Sequence, residues 1–275
     1  MSPAMRTLRL SWIAAGLIPA SVAAQELSYD LRLDVPIVVG GAAAWGGTEL
    51  AKASLAPATC RWCDRDAEGR DTVNSLERSA RNGMKWDRTG IAATASDILA
   101  FGLVPLTAIG FDALTASTAG RADGIALDLL IVAEATVISA NINQITKFIV
   151  GRERPFVHAL AADEKGQTAR PADNNLSFYS GHTSITMTMG VAAGTVATLR
   201  GYPAAPTVWI LGIGQSLAAG YLRIAADKHY LTDVLTGALV GGAVGFLVPY
   251  AFHRPGTNAP TATVGTNLVG FHGVW

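Results

Sequence analysis

Five long apolar segments follow one another through the C-terminal two thirds of the chain. They cover residues 90–117, 123–150, 181–199, 205–222 and 229–252. Alanine, leucine, isoleucine and methionine are frequent in them and apolar residues do not alternate with a period of two, so each segment predicts a helix. A glycine-rich apolar stretch at 36–52 predicts one further, shorter helix. The pattern therefore predicts an all-α fold, a bundle of about six helices.

Polar stretches rich in glycine and proline separate the apolar segments. Residues 25–35 predict an extended start, and "SLERSARNGMKWDR", within the polar stretch 53–88, predicts a surface helix. One longer loop covers 155–180. The predicted organisation is a signal peptide (1–24), an N-terminal segment (25–88), a helical domain (89–253) and a C-terminal tail (254–275).

The first 24 residues have the pattern of a secretory signal. Arg6 and Arg9 precede an apolar run at 10–22 that is too short to span a bilayer comfortably, and small residues then allow cleavage before Gln25. An uncleaved N-terminal anchor is the alternative. Either form predicts export, to the periplasm or the cell envelope.

Cys60 and Cys63 are the two cysteines of the chain. A zinc site needs about four ligands, and no histidine lies near them in sequence. A redox centre of the thioredoxin type would need a strand before the pair and a helix after it. In an exported protein the pair therefore predicts a local disulfide that closes a loop.

Composition leaves the environment of the bundle open. Half of the 275 residues are hydrophobic and 15% are charged, against a usual charged share of about 25%. The net charge is zero, so no global field favours nucleic acid and any anion site must be local.

Segments 183–199, 201–222 and 234–252 carry no charge and approach the roughly 20 residues that a membrane span needs. The earlier segments are less clean, because Asp97 and Asp112 lie in the first of them and Asp128 and Glu134 in the second. Carboxylates are costly in lipid and favour a soluble or partly embedded bundle.

Two motifs offer ligands for an anion. In "KFIVGRERP", Lys147 and Arg154 bring a point charge and a guanidinium fork that matches phosphate oxygens. In "YSGH", Ser180 and Gly181 precede a predicted helix, whose first N–H groups and dipole favour an anion. Each motif alone also has an ordinary explanation, namely a cationic flank and an N-cap serine.

A third motif, "RIAADKHYLTD", adds a further cation and a candidate nucleophile. Arg223 is followed by His229 and Asp233, which lie four residues apart and would share one face of a helix. A carboxylate at this spacing can hold the imidazole Nδ1–H and leave Nε2 free to attack. A surface His–Asp pair is the ordinary explanation.

Helix direction brings the three motifs together. If neighbouring helices are antiparallel, the segment 123–150 ends where the segment 181–199 begins. The segment 205–222 then returns to that end, and the segment 229–252 starts there. The sequence therefore predicts one site at one end of the bundle.

The three motifs, in this order and at this spacing, resemble the signature of the type-2 phosphatidic acid phosphatase family. That family shares its fold with vanadium-dependent haloperoxidases and bacterial class A acid phosphatases. The resemblance covers about residues 90–250. Two positions depart from the usual pattern: Tyr179 replaces a proline and Leu222 replaces a serine.

The resemblance implies a role for each matching residue. His229 would form a phosphohistidine, Asp233 would orient it, and His182 would protonate the leaving group and then activate water. No metal or cofactor is implied, because cations would neutralise the phosphate. The implied phosphate ligands are Lys147, Arg154, Ser180, Gly181 and Arg223.

The resemblance implies hydrolysis of phosphate monoesters or diphosphates, either of lipids or of small soluble esters. Two alternatives remain open at this point. The same group of cations could bind vanadate in a haloperoxidase, or it could persist in a non-catalytic envelope protein. The implied partner is the phosphate ester, with membrane association in the lipid case.

Overall fold

The computed structural model describes residues 25–256, and no β-strand occurs within this range. Six long helical stretches form the bundle, which confirms the predicted all-α fold. The predicted signal peptide and most of the predicted tail lie outside the described residues. The helices are α1 (Leu31–Leu50), α2 (Lys52–Leu55), α3 (Ser75–Met84), α4 (Thr89–Ile98), α5 (Val104–Thr118), α6 (Ile125–Val150), α7 (Pro155–His158), α8 (Gly181–Arg200), α9 (Ala205–Ala225) and α10 (Leu231–Phe252).

Helix α8 is the centre of the bundle and packs against α6, α9 and α10. Sixteen of its twenty residues are buried. Glycines let its neighbours approach closely: a Cβ on Gly190 would lie 2.7 Å from the backbone of Gly212 in α9. A Cβ on Gly241 of α10 would collide with the carbonyl oxygen of Ser184. Small residues at these crossings therefore set the spacing of the helices around α8.

Three helix boundaries differ from the prediction. Helix α1 begins at Leu31, within the stretch predicted to be extended, because the Asp30 side chain caps it by accepting a hydrogen bond from the Arg32 N–H at 2.9 Å. Helix α9 continues to Ala225 and so includes Arg223. Helix α10 begins only at Leu231, so His229 precedes it rather than sharing a helix face with Asp233.

The apolar segment at 90–117 is not one regular helix. A π-helical turn at Leu99–Leu103 separates α4 from α5. Such turns insert an extra residue into a helix and are frequent at functional sites. This turn carries Phe101, which lines the cavity described below.

The N-terminal polar segment packs against the end of α6. Cys60 and Cys63 form a disulfide. The backbone N–H of Arg61 donates to the Gly151 carbonyl at 2.9 Å, directly after α6. Helix α3, predicted to lie on the surface, is partly internal, because Glu77 is buried between it and the core helices.

Candidate active site at one end of the bundle

A cavity of about 670 Å³ opens at the end of the bundle where α6 and α9 end and α8 and α10 begin. The alternating direction of the helices thus brings the three motifs to one end of the bundle, as the sequence pattern predicted. Two of the eight predicted site residues, Ser180 and Asp233, do not line the cavity. The six that line it are Lys147, Arg154, Gly181, His182, Arg223 and His229.

The imidazole of His229 is oriented by a backbone carbonyl. Its Nδ1 lies 2.7 Å from the Ser177 carbonyl oxygen. Because a carbonyl can only accept, Nδ1 carries the proton and Nε2 keeps its lone pair. Burial lowers the pKa of His229 well below its ordinary value of 6.5, and the charges of Arg154 and Arg223 lower it further. His229 is therefore a neutral imidazole with a free Nε2 at neutral pH.

Asp233 acts on His229 through Ser177 rather than by a direct hydrogen bond. Its Oδ2 lies 3.7 Å from His229 Nδ1, which is too long for a hydrogen bond. The same Oδ2 accepts the Ser177 hydroxyl at 2.6 Å and the Tyr230 N–H at 2.9 Å. Asp233 thereby holds Ser177, whose carbonyl in turn holds the histidine ring.

Arg152 holds the other oxygen of Asp233, with Nη1 2.7 Å from Oδ1. Its Nη2 also contacts Asp64 at 3.1 Å and Glu77 at 3.3 Å. The guanidinium lies between two aromatic rings, at 4.0 Å and 4.1 Å from their centroids, and the residue is 1% exposed. Those rings belong to Trp62 and Tyr230. Arg152 therefore joins the disulfide loop, α3 and α10 directly behind the cavity.

His182 contacts a carboxylate that the family signature does not include. Its Nε2 lies 2.7 Å from Asp97 Oδ1, and the Phe101 ring packs edge-on against the imidazole at 5.0 Å between centroids. Asp97 is in the last turn of α4 and Phe101 is in the π-helical turn that follows. The α4–α5 region therefore supplies the partner and the apolar wall of His182.

The three cations predicted from the motifs line the cavity. Arg154 Nε donates to the Asp173 carbonyl at 2.8 Å, and Arg223 Nη1 donates to Ser96 Oγ at 2.9 Å. Arg223 Nε is buried and has no hydrogen-bond partner among residues 25–256. Together with Lys147, these side chains form a positively charged pocket suited to a phosphate dianion.

Gly181 is required by the close approach of α6. A Cβ at this position would lie 2.8 Å from Asn143 Oδ1 and 3.1 Å from Lys147 Nζ. Ser180 is the N-cap of α8, and its Oγ lies 2.9 Å from Thr183 Oγ1. The serine hydroxyl is thus engaged at the helix start, while the Gly181 backbone lies at the cavity wall.

The motifs did not indicate three residues that contact the predicted site. In the sequence, Arg152 is one more cation between Lys147 and Arg154, and Asp97 is a carboxylate within an apolar helix. Ser177 lies in the long loop without any distinctive pattern around it. Asp97 offered the one usable signal, because it is an ionisable group in an otherwise apolar segment.

The site is a cationic pocket with one free imidazole nitrogen, and such a pocket is suited to a phosphate group. Residues 128–256 match the family model of the PAP2 superfamily. This part of the chain therefore matches the family that the three motifs predicted.

Curated relatives support the same assignment. The chain is 28% identical over 130 residues to phospholipid phosphatase 2 of Bos taurus, covering 40% of this chain and 45% of the relative. It is 29% identical over 111 residues to an undecaprenyl-diphosphatase of Sulfolobus acidocaldarius, covering 40% and 48%. The chain spans just under half the length of these relatives.

Among solved structures, the chain is similar to a transmembrane PAP2-type phosphatidylglycerolphosphate phosphatase from Bacillus subtilis. The two are 16% identical with a TM-score of 0.45, over 79% of this chain and 94% of the other.

Proposed function

We propose that this protein is a membrane-embedded phosphatase that hydrolyses a lipid phosphate through a phosphohistidine on His229. The observation that carries the proposal is the cavity in which six of the eight predicted residues meet. Within it a neutral His229 with a free Nε2 faces Lys147, Arg154 and Arg223.

In the first step, Nε2 of His229 attacks phosphorus while the bond from phosphorus to the leaving oxygen breaks. The three cations and the Gly181 N–H stabilise the charge on the non-bridging oxygens. His182 gives its proton to the leaving oxygen. In the second step, water loses a proton to His182 and attacks phosphorus, and the P–N bond breaks.

His182 must carry a proton to act as the acid. Burial and the Arg223 charge lower the pKa of His182 to about 4, whereas the contact with Asp97 opposes that shift. A phosphate dianion in the cavity would raise the pKa again by favouring the imidazolium form. Substrate binding and the Asp97 carboxylate together therefore supply the protonated acid.

Exposed apolar side chains support an embedded bundle. Within the described residues 25–256, four helical segments are long and apolar enough to cross a membrane, namely Thr89–Thr118, Ala122–Val150, Ala205–Ala225 and Leu231–Phe252. Large apolar side chains on them face outward, including Ile210 at 72% and Leu239 at 74% exposure. Trp45 and Phe101 line the cavity beside the cations, which suits an acyl or polyprenyl chain.

The disulfide loop supports a proposal about the side of the membrane that the cavity faces. The Cys60–Cys63 loop bonds to Gly151 at the cavity end of α6. Disulfides persist in oxidising compartments. We therefore place the cavity on the exported side of the membrane.

The test is release of inorganic phosphate from phosphatidic acid in detergent micelles, with chelator present. Wild-type protein should release phosphate and vanadate should inhibit it. His229→Gln should lose at least about 10³-fold in kcat, as expected for loss of a nucleophile. His158→Gln is the matched control, because His158 is also buried beside carboxylates but lies outside the cavity. Full activity of His229→Gln would refute the proposal.

Two further measurements separate the finer parts of the proposal. Denaturing quench of a reaction with labelled substrate should trap acid-labile phosphohistidine. With p-nitrophenyl phosphate, whose leaving group needs little help from an acid, His182→Gln should accumulate it because the second step lacks its base. If p-nitrophenyl phosphate is hydrolysed with a higher kcat/KM than phosphatidic acid, the lipid assignment is wrong and the phosphatase assignment stands.

A further inference from the structure

A second cluster of ionisable side chains lies far from the cavity. Asp34 in the first turn of α1, Glu134 in α6 and His253 directly after α10 are all buried. One ligand atom from each lies within 4.8 Å of the others. Glu134 and Lys147 share α6 and are roughly 20 Å apart along its axis, at 1.5 Å per residue. The cluster therefore belongs to the opposite end of the bundle.

The ring of His253 is oriented with one nitrogen toward the carboxylates. Its Nδ1 donates to the Ser28 carbonyl at 2.9 Å, and the Ser28 N–H donates to the His253 carbonyl at 3.0 Å. The other nitrogen, Nε2, lies 3.0 Å from Glu134 Oε2. An imidazole lone pair and a carboxylate oxygen at this distance require a cation between them, either a proton or a metal ion.

The cluster has more negative charge than its surroundings balance. Within residues 25–256, no lysine or arginine forms an ion pair with Asp34 or Glu134, and His253 is the one basic partner of Glu134. Two buried carboxylates and one imidazole leave a net negative charge even when the imidazole is protonated. A divalent cation would neutralise both carboxylates and leave the imidazole neutral.

His158 shows the contrasting case in the same chain. It also contacts one glutamate and one aspartate, with Nδ1 3.2 Å from Glu153 and Nε2 3.3 Å from Asp71. There Lys165 pairs with Glu153 at 2.6 Å, and Arg78 lies 3.7 Å from Asp71. That cluster is balanced by side-chain cations, whereas the cluster around His253 is not.

We propose that Asp34, Glu134 and His253 bind a divalent transition metal ion, with Zn²⁺ as the first candidate. One imidazole nitrogen and two carboxylate oxygens are a ligand set that Zn²⁺ accepts. The Nδ1–H bond to a backbone carbonyl is the outer contact that orients a metal-binding histidine. The ion would join α1 to α6 and to the end of α10, and its role would be structural rather than catalytic.

The test uses the full chain in detergent, without an affinity tag that contains histidine, after removal of metal by chelator. Titration with Zn²⁺ should raise the melting temperature and load one Zn²⁺ per chain. Asp34→Asn and His253→Gln should each weaken this binding by at least about tenfold. His158→Gln should bind as the wild type does.

Cobalt provides a measurement that needs no variant. Co²⁺ added to the metal-free wild type should give visible absorption typical of a site with nitrogen and oxygen ligands, and Zn²⁺ should abolish it. Wild-type protein that binds neither ion overturns the proposal. So does zinc binding that Asp34→Asn leaves unchanged, which would place the ion elsewhere in the chain.

Discussion

Replacing Arg152 with methionine should lower the free energy of unfolding by about 3–5 kcal/mol, the usual cost of removing one partner of a buried ion pair. The substitution leaves Asp233 fully buried without the guanidinium that now lies 2.7 Å away. Because Asp233 also holds Ser177, the same change should disturb the orientation of His229 and lower kcat.

Two opposing effects keep the expected value within this range. The stacking of Arg152 against two aromatic rings, each contact worth up to about 2 kcal/mol when desolvated, is lost as well. Burial raises the pKa of Glu77, so this carboxyl can take up a proton once Arg152 is gone and relieve part of the repulsion. Contributions of groups in mutual contact are not additive, so the sum of all contacts would overstate the loss.

The assay is a denaturant titration in detergent followed by far-ultraviolet circular dichroism, with phosphate release measured on the same preparations. Arg70→Met is the matched control, because Arg70 contacts Asp66 at 2.6 Å and Glu68 at 3.2 Å but has a side chain that is 75% exposed. We expect no measurable change from it. If Arg152→Met is no more destabilising than Arg70→Met, the role assigned to this ion pair is wrong.

Three other changes have defined outcomes. Asp97→Asn should lower kcat by about tenfold, which is part of the 10²–10⁴ that general acid catalysis contributes. Because the carboxylate favours protonated His182, the variant should also move the alkaline limb of the kcat–pH profile to lower pH. An unmoved limb would contradict this. The lowered pKa of His229 keeps the nucleophile neutral as pH falls, so kcat/KM should decline only well below pH 6.5. A decline centred at or above pH 6.5 would show that the pKa of His229 is not lowered. Gly241→Ala should destabilise the protein by about 1–3 kcal/mol through overpacking. The control Gly242→Ala should be neutral or slightly stabilising, because its Cβ would meet only an ordinary contact at 3.7 Å. Equal melting temperatures of the two variants would argue against the close helix crossing.

The motifs predicted the position of the cavity because each one lies next to a helix whose direction the order of segments determines. Each apolar segment predicts one helix, and the order of the helices determines which helix ends are neighbours in the bundle. Lys147, Gly181 and Arg223 lie at or near helix ends, so an error of a few residues in a boundary leaves them at the same end of the bundle. This is why the extension of α9 to Ala225 did not move Arg223 away from the site.

The contacts behind the cavity could not be predicted in the same way. Arg152 meets Asp64, Glu77 and Asp233, which are 88, 75 and 81 residues away in sequence. No spacing rule connects positions so far apart. The spacing of four between His229 and Asp233 even indicated a wrong geometry, since the helix that would make them neighbours begins two residues after the histidine.

Hydropathy averages around a helix and therefore cannot show where its carboxylates point. In lipid, a carboxylate is tolerated when it faces the bundle interior and finds a partner. Asp128 is fully buried, accepts Arg200 Nε at 2.8 Å and the Tyr202 hydroxyl at 2.9 Å, and so does not face lipid. Glu134 is likewise internal, beside His253. Asp128 and Glu134 therefore no longer argue for a soluble bundle, because both lie inside it. The large outward side chains of α6 are apolar, among them Ile142, Ile145 and Ile149, as expected of a helix embedded in a membrane.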